Sequence, residues 1–395
     1  MPLALSLLAV AVFAMGTSEF MLAGLLPDIA SSLDVSVGTA GLLTSAFAVG
    51  MIVGAPLMAG LARRWPARSS LLGFVLVFAA VHVVGALTSS FLVLLITRVF
   101  AAMANAGFLA VALATASGLV APDQKGRALA VLLLGTTVAI IAGVPGGAVL
   151  GTLLDWRATF WVIVLLCLPA ALGVVQGIPT RIDTTEQDRA VGPALRTELA
   201  ELGKPRLMLV MVVAALVNAA TFGTFTFLAP IVTDTAGLGE LWVSLVLVLF
   251  GFGSFLGVRI AGRLSDQRPG HLIAVAGPLV LLGWIALAAL AARPVALLVL
   301  VLVQGVLSFA LGSTLIARVV YEASDAPTMG GSYATIALNI GAAGGPVVAA
   351  ATLGTRFGEL GPVWASMILV AIALIITLPI LRIITTPAGK QEATR

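Results

Sequence analysis

A single acidic side chain, Glu19, interrupts the apolar run from Leu3 to Leu26, within Gly16-Thr17-Ser18-Glu19-Phe20. A run of about 20 apolar residues crosses a bilayer. A carboxylate at that depth costs about 2.5–3.5 kcal/mol on insertion scales, so its default reading is a working group. Its chemistry would be to bind and release a proton, being neutral in one conformation and ionised in another as its surroundings change. The one basic side chain well inside a span rather than at its end is Arg98. Glu19 lies eight residues before Pro27, roughly 12 Å from the end of its helix, and Arg98 lies seven residues past Phe91, roughly 10 Å from the same membrane face. Similar depth makes the guanidinium the expected partner of the carboxyl. Together they are the candidate proton-coupling pair.

Uncharged polar residues fall on helical faces nearby. Arg98 and Asn105 are seven apart and share a face. Asn218, Thr221, Phe222 and Phe225 follow helical spacing, as do Gln304 with Ser308 and Thr335 with Asn339. Few polar groups among aromatics suit an amphipathic, largely neutral solute. Asn105, Asn218, Phe222, Phe225, Gln304 and Asn339 are therefore the candidate substrate-binding residues. The bland alternative for the amides is hydrogen bonding between helices. Gly143, Gly147 and Gly151 make one small stripe that permits close helix packing, and Pro145 within it weakens the backbone ladder.

Other chemistries are excluded or disfavoured. The histidines are His82 and His271, and the one cysteine is Cys167. They supply neither a metal cluster nor an intramolecular disulfide. No cofactor is expected. Paired membrane acids and a nucleophile–base pair are missing, which argues against an intramembrane enzyme. No lysine sits in a Gly-x-x-x-x-Gly-Lys-Ser/Thr loop, so this chain alone is not an ATP-driven pump. His82 reads as a neutral packed imidazole rather than a proton relay.

The elements that must position Glu19 are membrane helices. The 395 residues are 60% hydrophobic and 10% charged, with a mean hydropathy of +1.16. Soluble domains carry about 25% charged residues. Twelve spans are expected: 3–27, 37–61, 70–89, 91–117, 127–153, 158–178, 206–233, 241–262, 272–291, 295–319, 328–353 and 361–384. The first is read as a retained helix, because no Lys or Arg precedes it as in a cleaved signal peptide. With the N-terminus inside, the outer loops hold only Arg157, Arg293 and Arg356 among the 21 Lys and Arg. That asymmetry puts both termini in the cytoplasm, and it explains the basic balance without nucleic acid.

The chain divides into an N-terminal six-helix bundle (1–178), a polar cytoplasmic linker (179–205), a second bundle (206–384) and a cytoplasmic tail (385–395). The halves repeat. An offset of 203 pairs Pro27 with Pro230, Phe47 with Phe250, Gly50 with Gly253, Gly54 with Gly257, Leu61 with Leu264 and Pro66 with Pro269. An offset of 201 pairs Gly143 with Gly344 and Pro145 with Pro346. Glu19 falls opposite Phe222, so the acid belongs to one half only. Two related bundles imply a site between them that is exposed to each side in turn.

These features resemble the major facilitator superfamily, specifically its twelve-helix drug:proton antiporters. Leu61-Ala62-Arg63-Arg64-Trp65-Pro66-Ala67-Arg68 is similar to that family's loop after the second helix, with Arg63 in place of its Asp and Pro66 in place of its Gly. Gly262-Arg263-Leu264-Ser265-Asp266 is the second-half copy and keeps the Asp. Arg98 matches the family's membrane arginine, and Gly143-Val144-Pro145-Gly146-Gly147 its fifth-helix antiporter motif. Thr17-Ser18-Glu19-Phe20-Met21, Thr39 to Met51, Asn105 to Leu113 and Asp155-Trp156-Arg157 resemble actinobacterial chloramphenicol-resistance exporters.

The resemblance implies an all-α major facilitator fold with helices one and four lining the cavity. It makes Gly143, Pro145, Gly147 and Gly151 a gate between halves, with Asp266 as a latch. It implies a monomeric exporter in a bacterial plasma membrane, trading protons for a small-molecule drug, chloramphenicol first. The alternative is efflux of a sugar, a nucleoside or another metabolite by the same fold.

Overall fold

The computed structural model describes residues 3–62, 65–120, 125–178, 200–264, 269–324 and 330–377. Among these, 12 helices are long and apolar enough to cross a membrane: Leu5–Gly24, Val37–Met58, Ala67–Leu87, Phe91–Leu113, Leu134–Leu153, Trp156–Gly177, Pro205–Thr226, Leu241–Gly262, Gly270–Leu290, Pro294–Glu322, Gly330–Leu353 and Gly358–Thr377. They are called spans one to twelve below. The chain is thus an all-α, multi-pass membrane protein. The loop arginines Arg63 and Arg64, Asp266, most of the expected linker and the tail lie outside the described residues.

Two hydrophobic cores hold the spans together. One gathers spans one to six around Phe47, Phe78, Phe108, Trp156 and Phe160. The other gathers spans seven to twelve around Phe225, Trp284, Leu315 and Tyr333. The repeated glycines explain how each core closes. A Cβ on Gly50 would stand 2.5 Å from the Val99 carbonyl oxygen, and one on Gly54 would stand 2.8 Å from the Met103 Cα. Gly253 presses in the same way on Leu302, and Gly257 on Val306. These partners are themselves 203 residues apart. Each lobe therefore seats its second helix on its fourth through one pair of small residues, a packing that membrane helices favour.

Span one is not a single straight helix. Its α-helix runs Leu3–Phe20, tightens into a 3₁₀ turn at Met21–Gly24, and restarts at Leu26–Ser32. Pro27 sits in the first turn of the restarted segment, where its missing N–H costs nothing. Span seven breaks at the matching place, after Thr226. The α-helix that carries Glu19 thus ends one residue beyond it. Span five is interrupted as expected from its proline. Pro145 has no N–H to give the Ile141 carbonyl, and a π-turn occupies Ala139–Gly143 just ahead of it.

Asp155-Trp156-Arg157 fixes the loop before span six. Asp155 Oδ1 accepts from the Arg157 N–H at 2.7 Å and caps the helix. The Arg157 guanidinium donates to Ser32 Oγ at 3.1 Å and to the Thr88 carbonyl at 3.2 Å, and lies over the Trp156 ring. One side chain thereby ties three connections at this membrane face.

The lobes meet from mid-depth toward that same face. Phe20 stacks on Phe222 at 5.7 Å between ring centroids. Gly38 packs near Ala350, Gly41 against Phe227, and Gly251 against the Ile140 carbonyl. Ala23, Val144 and Ala148 of the first lobe sit in the core of the second.

Candidate functional site

Between the lobes lies a cavity of about 180 Å³ that opens to solvent. Its first-lobe wall is Glu19, Phe20, Thr44, Phe47 and Ala48. The opposite wall includes Asn218, Thr221, Phe222, Ser308, Phe309 and Asn339. Among the described residues the only carboxyl on the wall is that of Glu19, and its repeat mate Phe222 faces the same space. Phe20, Phe222, Phe225, Phe250 and Phe309 form a chain of ring contacts across the lobes, with centroids 4.8–6.0 Å apart.

The amides of the second lobe have fixed orientations. Asn218 Nδ2 donates to the Leu338 carbonyl at 2.6 Å, and Asn339 Nδ2 to the Thr335 carbonyl at 2.9 Å. A carbonyl only accepts, so each amide nitrogen must face it and each Oδ1 is left for a ligand. The wall therefore offers two acceptors and several hydroxyls among aromatic rings. It suits a neutral solute that carries hydrogen-bond donors.

Glu19 and Arg98 do not form the direct pair their depth suggested. Among the ion pairs of the described residues, all N···O contacts within 4.0 Å involve other groups. Arg98 is instead buried behind the wall. Its Nη1 donates to Ser18 Oγ at 2.8 Å and its Nη2 to the Ser18 carbonyl at 2.6 Å. Its guanidinium carbon lies 4.6 Å from the centroid of Phe47, whose ring also lines the cavity. The cause is the helix end. The last four carbonyls of an α-helix have no partner within it, and Ser18 is one of these. The helix dipole also favours a cation there. Arg98 thus caps the helix that presents Glu19.

Three of the six expected binding residues line the cavity: Asn218, Phe222 and Asn339. Asn105 stands behind Glu19, with Nδ2 3.4 Å from its Oε2, and orients the carboxyl rather than facing the space. Phe225 is buried between Phe222 and Phe250. Gln304 is turned away, with Nε2 donating to the Val280 carbonyl of span nine at 3.0 Å and Oε1 toward Gly283. Helical spacing put Gln304 and Ser308 on one stripe, but a stripe is wide enough for its two edges to meet different neighbours. The reading missed Thr44, Phe47 and Ala48 of span two, and Phe309, Gly312, Ser313 and Ile316 of span ten. Both sets recur at i, i+3, i+4, a signal present in the sequence but hidden among equally apolar faces.

The glycine stripe of span five also faces its own lobe. Gly143 packs on Thr17, Gly147 near Met21 and Thr159, and Gly151 on Leu25. The partners Thr17, Met21 and Leu25 repeat every four residues as the glycines do, so spans one and five lie in register. The residues of span five that meet the other lobe are Ile140, Val144 and Ala148, one stripe over. Gly147→Leu should still stop transport, by wedging span five off the helix that carries Glu19. A cell-surface assay of inserted protein beside a transport assay checks this: insertion near the wild-type level, transport at background.

A family model described as Major Facilitator Superfamily matches residues 8–346. Over 395 residues, 100% of both chains, the sequence is 69% identical to a chloramphenicol resistance protein of Streptomyces lividans. It is 30% identical over 348 residues, 87% of this chain and 88% of the relative, to the inner membrane transport protein YdhP of Escherichia coli (strain K12). Among solved structures it is similar to a bacterial homolog of the human lysosomal transporter Spinster in an inward-facing and occupied conformation. That match has a TM-score of 0.70 and 20% identity, covering 98% of this chain and 97% of that one. At that identity the likeness speaks for the fold. Two repeated lobes around a shared cavity, and a family model spanning most of the sequence, make one statement: this chain belongs to the Major Facilitator Superfamily and is a transporter, not an enzyme.

Proposed function

We propose that the protein exports small, neutral, amphipathic drugs, chloramphenicol first, in exchange for protons, from a bacterial cytoplasm across the plasma membrane. The single observation that carries this reading is the placement of Glu19, the only wall carboxyl among the described residues, in a cavity shared by both lobes. The full-length similarity to a chloramphenicol resistance protein supports the drug. With both termini cytoplasmic, as the arginine asymmetry expects, the lobes are closed toward the outside, and the cavity takes drug from the cytoplasm. Rocking the lobes would then present Glu19 to the outside, where it takes up a proton as the drug leaves. Arg98 acts in this cycle by fixing the end of the Glu19 helix. Thr44, Asn218 and Asn339 contact the drug.

The direct test is growth of a sensitive host on chloramphenicol, with and without a protonophore. Resistance that the protonophore abolishes is expected. Resistance that survives collapse of the gradient contradicts antiport, and lack of resistance at normal expression favours export of a metabolite instead.

Two amides of the second lobe divide cleanly in a binding experiment. Asn218→Leu should weaken drug binding by roughly 10-fold, about 1.4 kcal/mol, since it removes an acceptor from the wall. Gln304→Leu should leave the dissociation constant within about twofold, its bond to Val280 being structural and of the sub-2 kcal/mol kind found between membrane helices. Equilibrium binding to purified protein reads both.

A further inference from the structure

Directly behind the site lies a buried group that the coupling cycle, as described above, does not use. His82 of span three touches three other residues of the first lobe. Its Nδ1 is 2.7 Å from the Phe78 carbonyl, and its Nε2 is 2.7 Å from Ser18 Oγ. Its ring packs against Phe78 at 4.3 Å and Phe160 at 5.6 Å. A carbonyl only accepts, so Nδ1 carries the hydrogen. Nε2 is then the acceptor and Ser18 the donor. With its hydrogen committed to His82, Ser18 turns its lone pairs toward Arg98, which donates at 2.8 Å. Each of the bonds that link Phe78, His82, Ser18 and Arg98 has a donor and an acceptor in this one arrangement, with Arg98 Nε left outside the chain.

We propose that His82 is a positioning residue for the coupling acid: by accepting the Ser18 hydroxyl hydrogen it keeps Arg98 docked on the end of the span-one helix and off the Glu19 carboxylate. The inference rests on the proposed coupling role of Glu19. Ser18 is the residue next to Glu19, so an Arg98 released from Ser18 has a carboxylate within its reach. A helical serine that has lost the acceptor for its hydrogen turns its hydroxyl to the carbonyl one turn back, which carries Oγ away from Arg98 Nη1. Arg98 would then lose its bond to Oγ, and a charge-assisted bond to Glu19 is the stronger alternative. The charges around His82 are few. Span four offers Arg98 through Ser18, span one offers Glu19 beyond Ser18, and spans three and six offer only the rings of Phe78 and Phe160.

The experiment is drug–proton exchange in proteoliposomes against pH, for His82→Leu, His82→Gln and Ser18→Ala. A guanidinium bonded to a carboxylate keeps it ionised into more acid solution, by ~1–3 pH units at such distances. His82→Leu and Ser18→Ala should therefore move the pH of half-maximal exchange acid by that amount. His82→Gln, whose Oε1 can accept from Ser18, should keep the wild-type midpoint. A histidine that merely fills space would change the amount or rate of exchange and leave the midpoint alone. An unshifted midpoint in active His82→Leu overturns the proposal, as does an equal shift in His82→Gln. If His82→Leu fails to insert, Ser18→Ala carries the same expectation. Glu19→Gln separates the two readings. A pH dependence that survives in Glu19→Gln sinks the coupling role itself. A dependence lost there but unmoved in the other variants sinks only the positioning role.

Discussion

Glu19→Gln should reduce uphill drug export to the level of membranes without the transporter, while drug binding and energy-independent exchange of drug for drug persist. The substitution is nearly isosteric. The Gln Oε1 can still accept from Asn105 Nδ2, which stands 3.4 Å from the carboxyl. Arg98 is anchored on Ser18 rather than on Glu19, so removing the carboxylate leaves both of its hydrogen bonds in place. What disappears is the only ionisable group on the cavity wall among the described residues. A carrier whose return step needs a protonated acid in place of drug then loses the link between gradient and cargo. The measurement is accumulation of labelled drug in inverted vesicles under an imposed pH gradient, with counterflow as the control. Wild-type accumulation by the variant would remove the basis of the coupling assignment.

Gly251→Leu is expected to be nearly as damaging by a different route. Gly251 of span eight faces the π-turn of span five across the lobe interface. A Cβ there would sit 2.7 Å from the Ile140 carbonyl oxygen and 3.1 Å from its carbon. Backbone cannot step aside as the tip of a side chain can. Overpacking of this kind costs about 1–3 kcal/mol. Here the cost falls on the state in which the lobes touch at this level, since an opened interface gives the side chain room. The conformational equilibrium should shift away from the present state by roughly 5- to 150-fold. Inserted protein with transport cut by at least ~10-fold, and a cross-link between cysteines at Gly38 and Ala350, which also meet across the lobes, that forms less readily in Gly251→Leu than with Gly251 intact, is the expected result.

The fold was largely written in the sequence because bilayer crossing leaves a strong signal. Long apolar runs, arginine asymmetry and the 203-residue offset of Gly50, Gly54 and Pro27 point to one architecture, and the packing of Gly50 and Gly253 on equivalent partners gives that offset its physical meaning. Glu19 was legible for a related reason: one acid in an apolar run has no other cheap explanation. Facing was harder to read. In a helix that is apolar all round, spacing does not say which stripe meets the cavity, the neighbouring helix or lipid. Spacing therefore points Gln304 and Phe225 at the cavity, where the structure turns them away, and gives no sign of Thr44 and Phe47. The partner of Arg98 was misjudged because depth along straight helices ignores where a helix ends. The break after Phe20 supplies free carbonyls, and these hold the guanidinium more directly than the carboxylate does.

The central claim is that drug and proton exchange at Glu19, and proton counting tests it without transport. Purified protein in weakly buffered detergent solution receives saturating drug while the pH of the solution is followed, across a series of starting pH values. The account predicts that drug binding releases protons from the wild type over a bounded pH range, and none from Glu19→Gln at matched occupancy. Equal release from both proteins, or drug binding by the wild type with no release at any pH, would contradict it.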